Sequence, residues 1–242
     1  MPNPEFDHSE LTAVFFNTTL KRSPAVSNTQ GLIDISARIL RKQGVTVDII
    51  RSVDHDIASG VYPDMREYGW ETDEWPELTK RVLAADIVVM TGPIWLGEQS
   101  SEARKVIERL YALNSQVRDD GQYLFTGKVG GAIVSGNEDG VKHVTSSWLF
   151  SLAHMGFTIP ANADSGWLGP IGPGPSFLNP ASNGPETDFT NQTLTTLSWN
   201  LMHLAAMLKR AGGYPRWGNL PNAWAEGERF GFEPYRGPLT DD

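Results

Sequence analysis

Short apolar runs alternate along this chain with segments whose apolar residues recur at three-and-four spacing. Residues 11–16, Leu-Thr-Ala-Val-Phe-Phe, are β-branched and aromatic, which predicts a buried strand. After a polar stretch, Ser27 or Asn28 can cap a helix running to about Gln43, with Leu32, Ile35, Ile39 and Leu40 on one face and Gly44 as its stop. Val45 to Ile50 reads as a second strand, closing one βαβ unit. Residues 52–75 mix Asp, Gly, Pro, Tyr and Trp without period and read as an insertion or extended loop. Glu77 to Ala84 follows as a short helix and Asp86 to Thr91 as a third strand. A helix over 99–114 carries Ala103, Val106, Ile107, Leu110 and Leu113 on its apolar face. Lys128 to Ser135 is a fourth strand, about 141–155 a helix, and Phe157 to Pro160 a short fifth strand.

Strands that alternate with crossovers of a dozen or more residues predict a doubly wound parallel sheet with helices on both faces. Beyond it, 162–186 is a loop dense in Gly and Pro. Leu194, Leu197, Leu201, Leu204 and Leu208 mark a strong helix over 190–211, and an aromatic tail runs from 214. The expectation is a single domain over 1–242, with a core at 11–160 and a loop, helix and tail extension at 161–242.

Composition narrows the function. Lys and Arg number 20 against 29 Asp and Glu, so the chain is acidic (−9) and lacks the basic footprint that nucleic acid requires. There is no cysteine, which excludes disulfides, thiolate metal sites, a cysteine nucleophile and cysteine-ligated clusters. The five histidines show no His-x-x-x-His pair, so no metal site is expected. No apolar run approaches the ~20 residues of a membrane span and no leader pattern is visible, which makes a cytoplasmic protein without membrane insertion the expectation.

In a parallel sheet of this kind, ligands bind beyond the carboxyl ends of the strands. Three loops fall there. The first, Asn17 to Thr29, leads hydroxyls of Thr18, Thr19, Ser27 and Thr29 into a helix N-terminus, with Lys21 or Arg22 to add charge. It suits a terminal phosphate, and it lacks both the Gly-Lys-Ser/Thr and the Gly-x-Gly-x-x-Gly patterns. The second, Gly92-Pro-Ile-Trp-Leu-Gly97, places apolar and aromatic residues at a strand end, where a flat ring can lie on them. The third, Ser135-Gly-Asn-Glu-Asp-Gly140, has two glycines for close backbone approach. Converging on one crevice, the three suit a phosphorylated ligand with a planar ring.

These segments resemble the flavodoxin-like NAD(P)H-dependent FMN reductase and quinone reductase family. Residues 19–29 are similar to its Gly-Ser-x-Arg-x-x-Ser-Asn-Thr loop, with Thr19 and Lys21 in place of Ser and Arg and extra residues before Ser27. Residues 91–97 are similar to its Pro-x-Tyr-x-Gly loop, with Trp95 for Tyr. The resemblance covers about residues 11–160. It implies a flavodoxin-like five-stranded sheet in the order 2-1-3-4-5, with FMN as cofactor and NAD(P)H as co-substrate. It also implies a homodimer or homotetramer. By the resemblance, Thr18, Thr19, Lys21, Ser27, Asn28 and Thr29 would hold the phosphate. Pro93, Ile94, Trp95, Leu96 and Gly97 would line ring and ribityl chain, and Ser135, Gly136, Asn137, Glu138, Asp139 and Gly140 would flank the polar edge. Hydride would pass through flavin N5 to a small-molecule acceptor: a quinone, a nitro or azo compound, or free flavin. The flavin carries the chemistry, so no catalytic acid or base is expected.

Two residues are candidates for the substrate pocket. His143 stands one turn into the helix after Gly140, and Trp167 lies in the Gly166–Ser176 segment, which reads as a lid or a surface loop. Two other readings stay open: a flavodoxin-type electron carrier without its own substrate, and a flavin-free interaction protein that keeps only the fold.

Overall fold

The structure, a computed structural model, describes residues 7–237. The apolar runs become β1 (Thr12–Asn17), β2 (Thr46–Arg51), β3 (Ile87–Trp95), with β4 (Glu98–Gln99) folded back on it, β5 (Val129–Gly136) and β6 (Asp164–Leu168). β2-β1-β3-β5-β6 is the sheet order, every neighbour parallel, with β4 antiparallel to the end of β3. Counting parallel strands, this is the doubly wound 2-1-3-4-5 order that the resemblance implies.

The helices divide between the faces because each has one apolar stripe to bury. α1 (Asn28–Lys42) and α5 (Asp188–Ala211) cover one face, where Leu32, Ile33, Leu40, Leu194, Leu197 and Leu201 meet Phe15, Val89 and Ile133. A hydroxyl pair, Ser36 and Ser198 at 2.7 Å, fastens these two helices within that core. α2 (Trp75–Ala84), α3 (Ser101–Tyr111) and α4 (Val141–His154) cover the other, with Trp75, Val106, Leu110 and Trp148 against Phe16, Met90 and Val134. A short α6 (Pro221–Ala225) lies in the tail.

The fifth parallel strand is a correction. Phe157–Pro160 makes a single bridge, Thr158 to Val129, at the start of β5. Thr158 exchanges bonds with Lys128 and Gly130 there, and Pro160 has no N–H to continue a ladder. Pairing resumes at Asp164–Leu168, inside the segment read as loop, in register from Ala132↔Asp164 to Gly136↔Leu168. This carries Trp167 and the chain after it to the ligand edge of the sheet.

The insertion at 52–75 is organised by one buried ion pair. Arg109 of α3 donates to Asp73 at 2.7 Å, both side chains fully buried, and to the carbonyls of Pro63 and Ala58. Asp73 also accepts from the N–H groups of Ala58, Met65 and Trp75. Burial pulls the Arg109 guanidinium below its ordinary pKa, and Asp73 opposes that pull. At the opposite end of the sheet from the ligand edge, Lys128 donates to the carbonyls of Leu83 and Ala85, both at 2.6 Å. Burial brings its ammonium down to about 8.

Candidate functional site

The loops after β1, β3 and β5, with the segment after β6, enclose a cleft of about 560 Å³. Of the residues expected from sequence, it is lined by Thr19, Lys21, Asn28, Thr29, Pro93, Ile94, Trp95, Ser135, Gly136, Asn137, Glu138 and Trp167.

One end is rich in donors. The loop over 18–27 is held from outside by β2 and the turn after it. Arg51 donates to the carbonyls of Lys21 and Ala25, the latter at 2.8 Å, and to Ser23 Oγ at 3.2 Å. Asp54 accepts from the Ser23 N–H at 2.8 Å and its hydroxyl at 2.6 Å, and that hydroxyl holds the Asp54 carboxyl below the usual range. Ser27 caps α1, its Oγ accepting from Gln30 N–H at 3.1 Å. Among the described residues, the N–H groups of Asn28 and Thr29 have no hydrogen-bond partner. They present the positive end of a 15-residue helix beside the cleft. Thr29 Oγ1 lies 3.4 Å from Ser135 Oγ, tying this end to β5.

Pro93, Ile94 and Trp95 at the end of β3 also line the cleft. β3 runs on to Trp95, turns through Leu96 (φ 54°) and Gly97 (φ 76°), and returns as β4, pairing Ile94 with Gln99 and Trp95 with Glu98. Two left-handed residues make a tight hairpin of the primed type. Glu138 Oε2 accepts from Gly97 N–H at 3.2 Å. A Cβ on Gly140 would stand 2.5 Å from the Gly97 carbonyl oxygen, so the hairpin and the β5 loop touch only because that position is glycine.

The remaining expected residues shape the cleft without lining it. Thr18 turns inward, its Oγ1 donating to the Thr91 carbonyl at 2.7 Å, and Ser27 is occupied as the cap. Leu96 points to solvent at 94% exposure, and Gly97, Asp139 and Gly140 fall outside the lining. His143 sits outside, its Nε2 2.7 Å from Glu98 Oε1 with both side chains exposed.

The far wall comes from the Gly/Pro segment. Gly172, Pro173, Gly174, Ser176 and Phe177 face the cleft, and Trp167, 4% exposed, meets Phe177 edge to face at 5.6 Å. The segment read as a lid or a surface loop thus lines one side of the cleft. Leu20, the unspecified position between Thr19 and Lys21 of the first loop, and Phe177 also line the cleft without having been singled out. Chemically, the cleft offers anion donors together with apolar and aromatic lining residues. No group of three or more His, Asp or Glu able to hold a metal occurs among the described residues. Nor is any helix among them long and apolar enough to cross a membrane.

Comparison with known proteins places this geometry. A profile described as NADPH-dependent FMN reductase matches residues 16–166. The 8-demethyl-8-aminoriboflavin-5'-phosphate synthase of Streptomyces davaonensis is 36% identical, over 82% of this chain and 79% of its own. The crystal structure of RosB with bound 8-demethyl-8-formylriboflavin-5'-phosphate superposes with a TM-score of 0.81 at 33% identity, covering 96% of this chain and 93% of that one. A sequence named divalent metal cation transporter MntH, from Mycobacterium bovis, is 58% identical over 85% of this chain, which spans only 30% of that relative's length.

Proposed function

The chain belongs to the NADPH-dependent FMN reductase family, and on that footing we propose that it is an FMN-dependent NAD(P)H oxidoreductase. When bound, FMN would supply hydride chemistry at N5, linking NAD(P)H as donor to a second small molecule as acceptor: a quinone, a nitro or azo compound, or free flavin. The observation that carries the reading is the pair of unpartnered N–H groups of Asn28 and Thr29 in a cleft also lined by Pro93, Ile94, Trp95 and Trp167.

The residues present fit the group. The Asn28 and Thr29 amides and the Thr19 and Thr29 hydroxyls would hold the phosphate, and the charge of Lys21 adds to the helix end. Pro93, Ile94 and Trp95 would bed the ring, while Trp167 and Phe177 keep water from the wall beside it. The protein's part in this reading is binding, orientation and exclusion of water.

A second reading rests on the synthase named for 8-demethyl-8-aminoriboflavin-5'-phosphate, 36% identical, and on the RosB structure with its bound intermediate 8-demethyl-8-formylriboflavin-5'-phosphate, 33% identical. In it, a flavin 5'-phosphate is the substrate rather than the cofactor.

Titration with FMN and with riboflavin tests the phosphate assignment. Thr19→Ala and Thr29→Ala are expected to weaken FMN binding about tenfold, or ~1.4 kcal/mol each, and to leave riboflavin binding nearly as it was. Equal losses for both ligands would remove the phosphate from this end. Mass spectrometry of the flavin after turnover with NAD(P)H and a quinone separates the two readings. Recovered FMN supports the oxidoreductase, and a flavin altered in mass supports the second. Flavin binding without NAD(P)H turnover would leave an electron carrier.

A further inference from the structure

The wall after β6 is fastened to the cleft at both ends. At one end, the Gly169 N–H donates to the Gly136 carbonyl and the Gly172 N–H to the Asn137 carbonyl, each at 2.9 Å. The Asn137 side chain then donates from Nδ2 to the carbonyls of Pro175 at 3.1 Å and Pro170 at 3.4 Å. At the other end, Asn28 Oδ1 accepts from the Leu178 N–H at 2.9 Å. A Cβ on Gly169 would collide with Asn137 Nδ2 and with the Trp167 ring, so the amide fits its socket because residue 169 is glycine.

Between the anchors, Gly-Pro-Ile-Gly-Pro-Gly-Pro brings little side-chain bulk to the cleft beyond its proline rings, which stiffen the backbone, and Phe177 after it adds one aromatic ring packed on Trp167. A wall so pinned fixes the width of the space it borders. We propose that the Gly169–Leu178 strap is the selectivity wall of the cleft, admitting a thin planar second ligand and refusing a bulkier one, and that Asn137 is the positioning residue that sets its height. The inference rests on the flavin reading of the same cleft and deepens it. Asn137 acts through the donor character of Nδ2, because the two atoms it meets are carbonyl oxygens. An isosteric carboxylate would face those oxygens with repulsion.

The test uses the full chain saturated with FMN, oxidised, without NAD(P)H. Isothermal titration measures the Kd of 1,4-naphthoquinone and of 2-tert-butyl-1,4-naphthoquinone, whose tert-butyl group stands out of the ring plane, for wild type, Asn137→Ala and Asn137→Asp. The wild type is expected to favour the unsubstituted naphthoquinone by at least tenfold. Both variants are expected to cut that preference at least fivefold, with thermolysin cleaving at Ile171 or Leu178 faster than in wild type. The Asp variant keeps the shape of the side chain and so controls for simple packing. A preference unchanged in Asn137→Asp, or no binding of either quinone by wild type, overturns the inference. Absence of FMN binding by the wild type overturns instead the reading beneath it.

Discussion

The two charged side chains that look alike as buried cations, Arg109 and Lys128, show how context sets the role of a residue. Arg109 meets one carboxylate and two carbonyls, and Asp73 completes its shell with three backbone N–H groups, so the pair pins the backbone at Ala58, Pro63, Met65 and Trp75 at once. Removing one partner leaves the other charge buried without compensation, which typically costs ~3–5 kcal/mol. Arg109→Met is therefore expected to lower the unfolding free energy by about that much, with the loss read in urea denaturation. A double replacement, Asp73→Asn with Arg109→Met, should recover part of it. An Arg109→Met variant as stable as wild type would mean that 52–75 is held by its apolar contacts alone, chiefly Ile57, Met65 and Trp75. Nothing in the apolar periodicity of the helix expected over 99–114 marks Arg109 as a buried residue. A buried ion pair formed across 36 positions leaves no periodic trace.

At the scale of elements, the hairpin of β3 and β4 contains a local conflict. Leu96 takes a left-handed backbone that costs a β-carbon residue about 1–2 kcal/mol, and its side chain is almost wholly in solvent. Asn tolerates that conformation and favours the first position of such a turn. Leu96→Asn is expected to raise stability by about 1 kcal/mol, seen as a higher midpoint in denaturant, with FMN affinity little changed because Leu96 does not line the cleft. A loss of FMN affinity in that variant would give Leu96 a direct contact with the ligand. The same scale shows what was legible. β1, β2, β3 and β5 are dense in β-branched residues and were readable to within a residue or two at most ends, as was α5 from its leucines. β6 was not, because Asp-Ser-Gly-Trp-Leu has the composition of a loop. Gly166 is there because a Cβ would collide with the Val134 carbonyl oxygen, a demand that appears only once the strands are paired. The three ligand loops were legible as polar or aromatic interruptions at strand ends. Their division into residues that line the cleft and residues that shape it was not, since Thr18 and Thr19 look alike until one turns toward Thr91.

Across the whole molecule, binding and stability sit at opposite edges of one sheet: the cleft at the carboxyl ends of the strands, Lys128 at the amino end of β5. Burial lowers the Lys128 ammonium to about 8, against ~10.4 for an unfolded lysine. The unfolded chain therefore holds this proton more tightly than the folded one. The sign follows from linkage: below pH 8 both states are protonated and folding bears the full cost of burying the charge. Between about pH 8 and 10.4 the folded state releases the proton first, and stability rises with pH. The shift corresponds to at most ~3 kcal/mol, and the two carbonyls that Lys128 reaches at 2.6 Å make the actual figure smaller, because they favour the charged form. Urea denaturation at several values between pH 7 and 10.5, for wild type and for Lys128→Met, isolates the group. The difference between the two curves is expected to change in favour of the wild type as pH rises through this window and to level off below it. FMN affinity measured in parallel at pH 7 should be the same in both proteins, because the substitution lies at the other edge of the sheet. A difference curve that stays flat would show that the carbonyl bonds hold the ammonium fully charged in the folded state.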